Sequence, residues 1–259
     1  MKKDAQKILI SAGMVFAVII IIYGIWHLVD TKGQYEEAVR EYDKLQASVV
    51  DANVTVPEEK ENVPDEKIVP PITVNMEELK NQNPDTIGWI YYPVLGINYP
   101  IMQDKDNKYY ITHTYQGEKN AAGSIFLDMN ASSDFSDDNS LIYGHNMKNG
   151  AMFGSLKNIR NTEIVKNNPY IWIFIDNIAF RYQIFSWHDA KVTDESFQTI
   201  FDTSEDKQEY LDYIERIAEY KLGVSIEKED KIITLSTCTS DSSVRFLVHG
   251  VLTDEVPEG

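Results

Sequence analysis

Residues 8–29 form a run of 22 residues without a single Asp, Glu, Lys or Arg. As an α-helix rising about 1.5 Å per residue, such a run reaches ~33 Å, enough to cross a bilayer's hydrocarbon core of about 30 Å. Everything else in the chain must therefore fold outside the lipid. Lys2, Lys3 and Lys7 precede the run, whereas Asp30, Glu36 and Glu37 follow it with Lys32 as the only nearby base. That asymmetry predicts a cytoplasmic N-terminus and an extracytoplasmic remainder. A cleaved signal peptide would carry an apolar stretch of about 7–15 residues and then a small-x-small site. Here the run ends in Trp26, His27, Leu28 and Val29, so the expectation is an uncleaved, single-pass anchor.

The residues beyond the run include 21 basic and 40 acidic side chains, a formal charge of −19. Binding to nucleic acid depends on neutralising phosphates with Lys and Arg, so no nucleic-acid partner is expected. The acidity otherwise says only that this part is soluble. Cys238 is the sole cysteine, and an extracytoplasmic chain with one cysteine forms no internal disulfide. It is then either a small buried hydrophobe or a reactive thiol.

Residues 34–50 place Tyr35, Val39 and Tyr42 at helical spacing without the apolar content of a core, which predicts a short juxtamembrane stalk. Residues 51–72 hold four of the nine prolines among many acids and read as an extended linker. The expected division is a cytoplasmic tip and anchor over 1–29, stalk and linker over 30–73, and an extracytoplasmic folded domain over 74–259. Asn75 with Glu78 three positions on has capping-box character and predicts a short helix ending near Asn83. Eight β-rich runs follow between Gly, Pro and Asn punctuation: IGWIYY, INYPIM, GSIFLD, SLIYGH, YIWIFI, AFRYQIFSW, KIITLST and VRFLVHGVL. Eight such runs predict a mainly β barrel or sandwich rather than a parallel α/β sheet. Helical inserts are expected near 151–160 and 205–220, the second presenting Tyr210, Tyr213, Ile214, Ile217 and Ala218 on one packing face.

The run KIITLSTC brings Cys238 to a strand end, where a side chain reaches solvent. Thiol chemistry also needs a proton carrier and a donor for the charge that develops on an attacked carbonyl. Of the five histidines, His27 ends the span, His113 lies in a polar loop and His188 follows a strand. His145 ends SLIYGH beside Gly144 and Asn146, and is the favoured proton carrier. His249 is the rival, since it shares a strand face with Arg245. Arg245 lies seven residues after Cys238, a spacing that suits a turn returning the next strand beside the first. Spacing alone leaves it equally open to pairing with Asp241.

TLSTC, a polar loop and Arg245, with YGHN upstream at Tyr143 to Asn146, together resemble the signature of the sortase family, over about residues 74–252. Residues 97–111, the GSIFLD run and the helix inserted before the last strands resemble class B enzymes in particular. The resemblance implies an eight-stranded β-barrel with added helices. It also implies that Cys238 attacks the threonine carbonyl of a C-terminal sorting motif in a secreted protein to form a thioester. His145 would protonate the departing amine and deprotonate the incoming one, Arg245 would stabilise the oxyanion, and an amine of a peptidoglycan precursor or of another surface protein would accept the acyl group. Asn107, Ile111, Tyr143 and Ser236 are implied in the substrate groove. Thr239 stands where related enzymes can carry an acid.

Other Cys-His enzymes fit less well. An L,D-transpeptidase would show His and Gly packed around its Cys, and a papain-like peptidase a Cys at a helix start before its His; neither pattern is present. A binding module with an inert Cys238 is the non-enzymatic alternative. No cofactor is expected. Asp128, Asp134, Asp137 and Asp138 cluster in one stretch, but their spacing does not match a calcium loop and no zinc-type Cys/His set exists, so they are expected to form a solvated acidic loop without metal.

Overall fold

The computed structural model describes residues 2–51 and 68–257. All eight β-rich runs form strands: β1 (Thr86–Tyr92), β2 (Ile97–Met102), β3 (Ile125–Leu127), β4 (Asn139–Tyr143), β5 (Tyr170–Ile175), β6 (Ile178–Lys191), β7 (Ile232–Cys238) and β8 (Val244–Pro257). Their order is β8-β7-β4-β3-β2-β1-β5-β6, and β6 pairs back onto β8 to close an eight-stranded barrel. A two-residue strand, Tyr220–Lys221, adds to β6 outside that circle. The β7/β4 and β2/β3 pairs are parallel and the other barrel pairs antiparallel. β6 and β8 are each 14 residues long and shift register after His249 and after Leu252. Such bulges let long strands bend around a barrel.

Trp89, Ile97, Ile101, Ile142, Ile173, Phe174, Ile184, Leu235 and Val248 belong to one continuous core packed on the two faces of the barrel wall. A second cluster forms where helix α4 (Ser204–Ile217) lays Tyr210, Leu211 and Ile214 on Phe185, Ile232 and Val251 of β6, β7 and β8. Covered on both faces, β7 reads as a continuous buried run, not an alternating one. A capping box between Thr203 and Asp206 starts α4. The helix ends at Ile217, short of the expected 220, because Tyr220 pairs with Trp187 as strand. Its buried face includes Lys207 and Leu211, while Tyr213 sits at the edge.

The insert expected near 151–160 is shorter and later than predicted: turns up to residue 155, a 3-10 turn at Leu156–Arg160, then helix α3 (Thr162–Asn167). Gly154 packs where an added Cβ would lie 2.2 Å from the Met147 carbonyl oxygen, a turn geometry that excludes a regular helix there. Helix α2 (Met76–Gln82) forms as expected, with the Asn75 side chain accepting from the Glu78 N–H at 3.0 Å and Asn83 as C-cap.

The stalk expectation is corrected. Helix α1 runs unbroken over Lys2–Val49. Large apolar side chains such as Phe16, Ile20 and Trp26 are exposed along its first part, which is long and apolar enough to cross a membrane. Its last four turns dock on the barrel and bury Ala38, Tyr42, Leu45 and Val49. The Tyr42 hydroxyl donates to the Gly123 carbonyl at 3.0 Å and accepts from the Tyr115 N–H at 3.2 Å, and its ring meets Tyr99 edge-on. Gln46 donates to the Asn98 carbonyl at 2.8 Å. Four buried positions at helical spacing suffice for docking, yet they are too few to stand out in so charged a segment. Val50 and Asp51 then pair with Val74 and Thr73. Most of the expected linker, residues 52–67, lies outside the described residues.

Candidate active site

Cys238 ends β7 half-buried. Because β8 returns antiparallel through a tight loop, Arg245 is the residue directly across from it, and side chains of directly opposed residues share a sheet face. β4 runs parallel to β7 on the other side with Tyr143 opposite Ser236, so the chain leaving β4 passes the strand end that carries the thiol. The Gly144 N–H donates to the Ser236 carbonyl at 3.1 Å and the Asn146 side chain to the Cys238 carbonyl at 2.7 Å, with His145 held between them. An added Cβ at Gly144 would lie 2.5 Å from the Phe153 ring, so only glycine lets the chain pass.

His145 Nε2 lies 2.7 Å from the Ile111 carbonyl oxygen. A carbonyl only accepts, so Nε2 carries the proton and Nδ1 is the nitrogen left for the thiol in the neutral ring. Hydrogen bonding to Cys238 raises His145 above its ordinary pKa; burial opposes this, and the Ile111 carbonyl adds to the rise. The same hydrogen bond lowers the Cys238 pKa against the cost of burial, and the Arg245 charge lowers it further. Both directions favour a thiolate–imidazolium pair. Arg245 donates through Nη1 to the Ser242 and Val244 carbonyls at 2.7 and 3.1 Å. Among the described residues no carboxylate pairs with it, so the Asp241 alternative is not what the fold adopts.

These three side chains open into a cavity of about 320 Å³ that is also lined by Asn107, Ile111, Tyr143 and Ser236, with Phe126 as an apolar wall. All seven residues expected at the site thus meet in one place. The Ser236 and Thr237 hydroxyls beside the cavity are buried without a hydrogen-bond partner among the described residues.

Asp128 corrects the expectation of a uniform solvated acidic loop. It is buried, and its Oδ2 accepts from the Asn107 side-chain amide at 2.7 Å and from the Tyr143 hydroxyl at 3.0 Å. Asn107 Oδ1 in turn accepts from the Met129 N–H at 2.8 Å, which fixes the orientation of its amide. Burial and the Asp128 charge raise the Tyr143 pKa. Asp137 instead caps the Ser132 turn and Asp138 binds Lys207. The GSIFLD run was legible in the sequence, but the role of its last residue was not.

His249 is buried on the outer face of the barrel wall, on the side covered by α4, opposite Thr234, whose hydroxyl it meets at 3.0 Å; it packs on Phe185 and stacks on the equally buried His188. Its position four residues along β8 from Arg245 removes it from the cavity by ~13 Å of strand. His188 meets the Ser196 hydroxyl, and His113 stacks on Tyr109 at the surface.

A closed eight-stranded barrel with a cysteine, a histidine and an arginine converging at one strand end defines a cysteine acyltransferase site. Residues 90–253 match the sortase domain model. The chain is 33% identical over 180 residues to sortase B of Listeria monocytogenes, covering 68% of this chain and 73% of that one. It is similar to the crystal structure of Clostridium perfringens sortase B, with a TM-score of 0.66 at 32% identity over 70% of this chain and all of that one. A Staphylococcus aureus sortase B–substrate complex gives a TM-score of 0.66 at 28% identity, over 69% of this chain and 84% of that one. The chain belongs to the sortase family, on its class B branch, and is a sortase-type transpeptidase.

Proposed function

We propose that this enzyme cleaves the C-terminal sorting motif of secreted proteins after a threonine and transfers the acyl group to an amine of a cell-wall precursor. The observation that carries this reading is the cross-strand pairing of Cys238 with Arg245, with His145 lining the same cavity beside the thiol. The Cys238 thiolate attacks the threonine carbonyl carbon, and Arg245 donates to the oxyanion that forms. As the tetrahedral species collapses, His145 gives its proton to the departing amine and a thioester remains on Cys238. The incoming amine then attacks that carbonyl, gives a proton to His145 and releases the thiolate. Asn107, Ile111, Tyr143 and Ser236 hold the sorting motif, with Asp128 holding Asn107 and Tyr143 in place.

Residues 1–29 anchor the enzyme with its N-terminus in the cytoplasm, in agreement with the basic flank before the apolar run and the acidic one after it. The catalytic domain then lies outside. The barrel is joined to the anchor by continuous helix, and only about nine residues, ~13 Å of helix, separate the end of the apolar run from the first docked side chain. This short connection supports a catalytic domain held near the membrane, within reach of a lipid-linked acceptor.

The test is cleavage of a panel of threonine-containing sorting peptides by the full-length protein in detergent micelles, with products identified by mass. A product ending in threonine carboxylate in water, and in an amide once an amine is added, supports the reading. Cleavage at another residue, or none across the panel, contradicts it.

A further inference from the structure

The transfer needs two substrates, and the cavity described above reaches Cys238 from one side. A second cavity of about 640 Å³ reaches it from the other and shares only Thr237 and Cys238 with the first. The two are divided by the alternation of β8: Arg245 faces the first, Val244 and Phe246 the second. On the preceding loop His145 lines the first and Asn146 the second. A thioester carbonyl on Cys238 would therefore lie at the junction of two separate approaches.

The charges of the second cavity are ordered. Arg160 is neutralised by Asp189 and Glu219, each at 2.8 Å, and stacks over Phe246. Lys148 and Lys157 line the same cavity, and among the described residues neither has an ion-pair partner. On a chain of formal charge −17, two uncompensated cations in one cavity beside the nucleophile are a specific feature. Asp241, on the loop that follows Cys238, also lines this cavity and accepts from the N–H and hydroxyl of Ser243, which hold it as a carboxylate.

We propose that this second cavity is the acceptor site, and that it takes an amine carried on an anionic molecule whose oxyanion is bound by Lys148 and Lys157. This rests on the thioester reading above. The ammonium end is drawn toward Asp241 and Cys238. The ammonium first loses one proton to solvent; the free amine nitrogen then attacks the thioester carbonyl, the C–N bond forms, the C–S bond breaks, the electron pair returns to the Cys238 thiolate and the second nitrogen proton passes to neutral His145. Water arriving by the same route gives the carboxylic acid instead, so occupancy of this cavity sets the ratio of transfer to hydrolysis. The oxyanion can be a peptide carboxylate or a phosphate, since a lysine ammonium recognises either as a point charge.

The experiment reads that ratio in full-length protein in detergent micelles. A sorting peptide is supplied with equal amounts of triglycine, triglycine amide, or triglycine amide bearing a terminal phosphate ester, and the amide and acid products are quantified. The expected result is a transfer-to-hydrolysis ratio about 5-fold higher for the anionic acceptors, the size of effect an exposed ion pair supplies. The preference is lost in Lys148→Gln/Lys157→Gln and retained in Lys148→Arg/Lys157→Arg. The better of the two anionic acceptors identifies the group recognised. Equal ratios for all three acceptors in the wild type, or a preference that survives the glutamine substitutions, would overturn the acceptor site while leaving thioester formation intact. A wild type that forms no thioester would instead overturn the reading beneath it.

Discussion

Cys238 and Arg245 are direct cross-strand partners, the last pair of the β7/β8 ladder. Barrel closure thus fixes the relation of thiol to guanidinium, while the β4 exit loop separately brings the histidine.

This arrangement predicts how the thiol titrates. His145 is the largest influence lowering the Cys238 pKa and Arg245 a smaller one. Alkylation of the sole cysteine by iodoacetamide, followed against pH, is expected to show a midpoint below the ordinary thiol value of about 8.5. His145→Ala moves the midpoint up the most and Arg245→Ala moves it up less. Arg245 also lowers the His145 pKa. Both limbs of the pH–rate profile for peptide cleavage should therefore shift to higher pH in Arg245→Ala, the acid limb because the thiolate loses a cation and the alkaline limb because the imidazolium gains stability. A downward shift of either limb contradicts the electrostatic account.

Gly144→Ala is expected to cut kcat by about 100-fold, the cost typical of an ångström-scale misplacement of a catalytic group. The added methyl meets the Phe153 ring, and the loop carrying His145 must move. Gly144→Ala/Phe153→Leu, which removes the ring, should recover part of the loss. Failure of that rescue, with the fold intact by circular dichroism, would show that the Phe153 contact is not the cause.

Asp128→Ala removes the acceptor shared by Asn107 and Tyr143 and leaves buried donors unsatisfied. A loss of about 2 kcal/mol in stability is expected, together with a rise in KM for the sorting peptide that exceeds the fall in kcat. Tyr143→Phe breaks only one of the bonds and should raise KM by less. Chemical denaturation and steady-state kinetics on the same preparations check both. An unchanged KM would mean that Asp128 does not shape the groove.

Shortening the chain tests the docked helix. A fragment of residues 31–259 keeps Ala38, Tyr42, Leu45 and Val49 on the barrel, and one of residues 74–259 strips them away. The shorter fragment is expected to melt about 10–20 °C lower, given about 1.5–3 kcal/mol for each large apolar side chain withdrawn. Equal melting temperatures would mean that the helix contributes nothing to the fold.

These comparisons also show what the sequence conveys by itself. The eight strands were legible because each is a dense β-branched or aromatic run bounded by Gly, Pro or Asn, and Cys238 because a strand end is an exposed place for a thiol. His145 and His249 were harder to separate, since each lies near a plausible partner; only the register that sets Thr234 opposite His249, on the side covered by α4, shows that the latter is buried away from the thiol. The docking face of α1 escaped notice because one of its four residues is alanine and the rest sit among charges. Asp128 escaped because a buried acid with two side-chain donors and an exposed acid in a turn look alike in sequence. Both omissions concern long-range contacts, 81 residues apart for Tyr42 and Gly123 and 21 for Asn107 and Asp128, which local patterning does not encode.

The most direct test of the central claim is intact mass spectrometry of the full-length protein after brief incubation with sorting-motif peptides, wild type beside Cys238→Ala. The account predicts an adduct on the wild type alone, equal in mass to the peptide portion ending in threonine less one water, and released by hydroxylamine as a thioester should be. An adduct on both proteins, or peptide turnover by Cys238→Ala without any adduct, would contradict it.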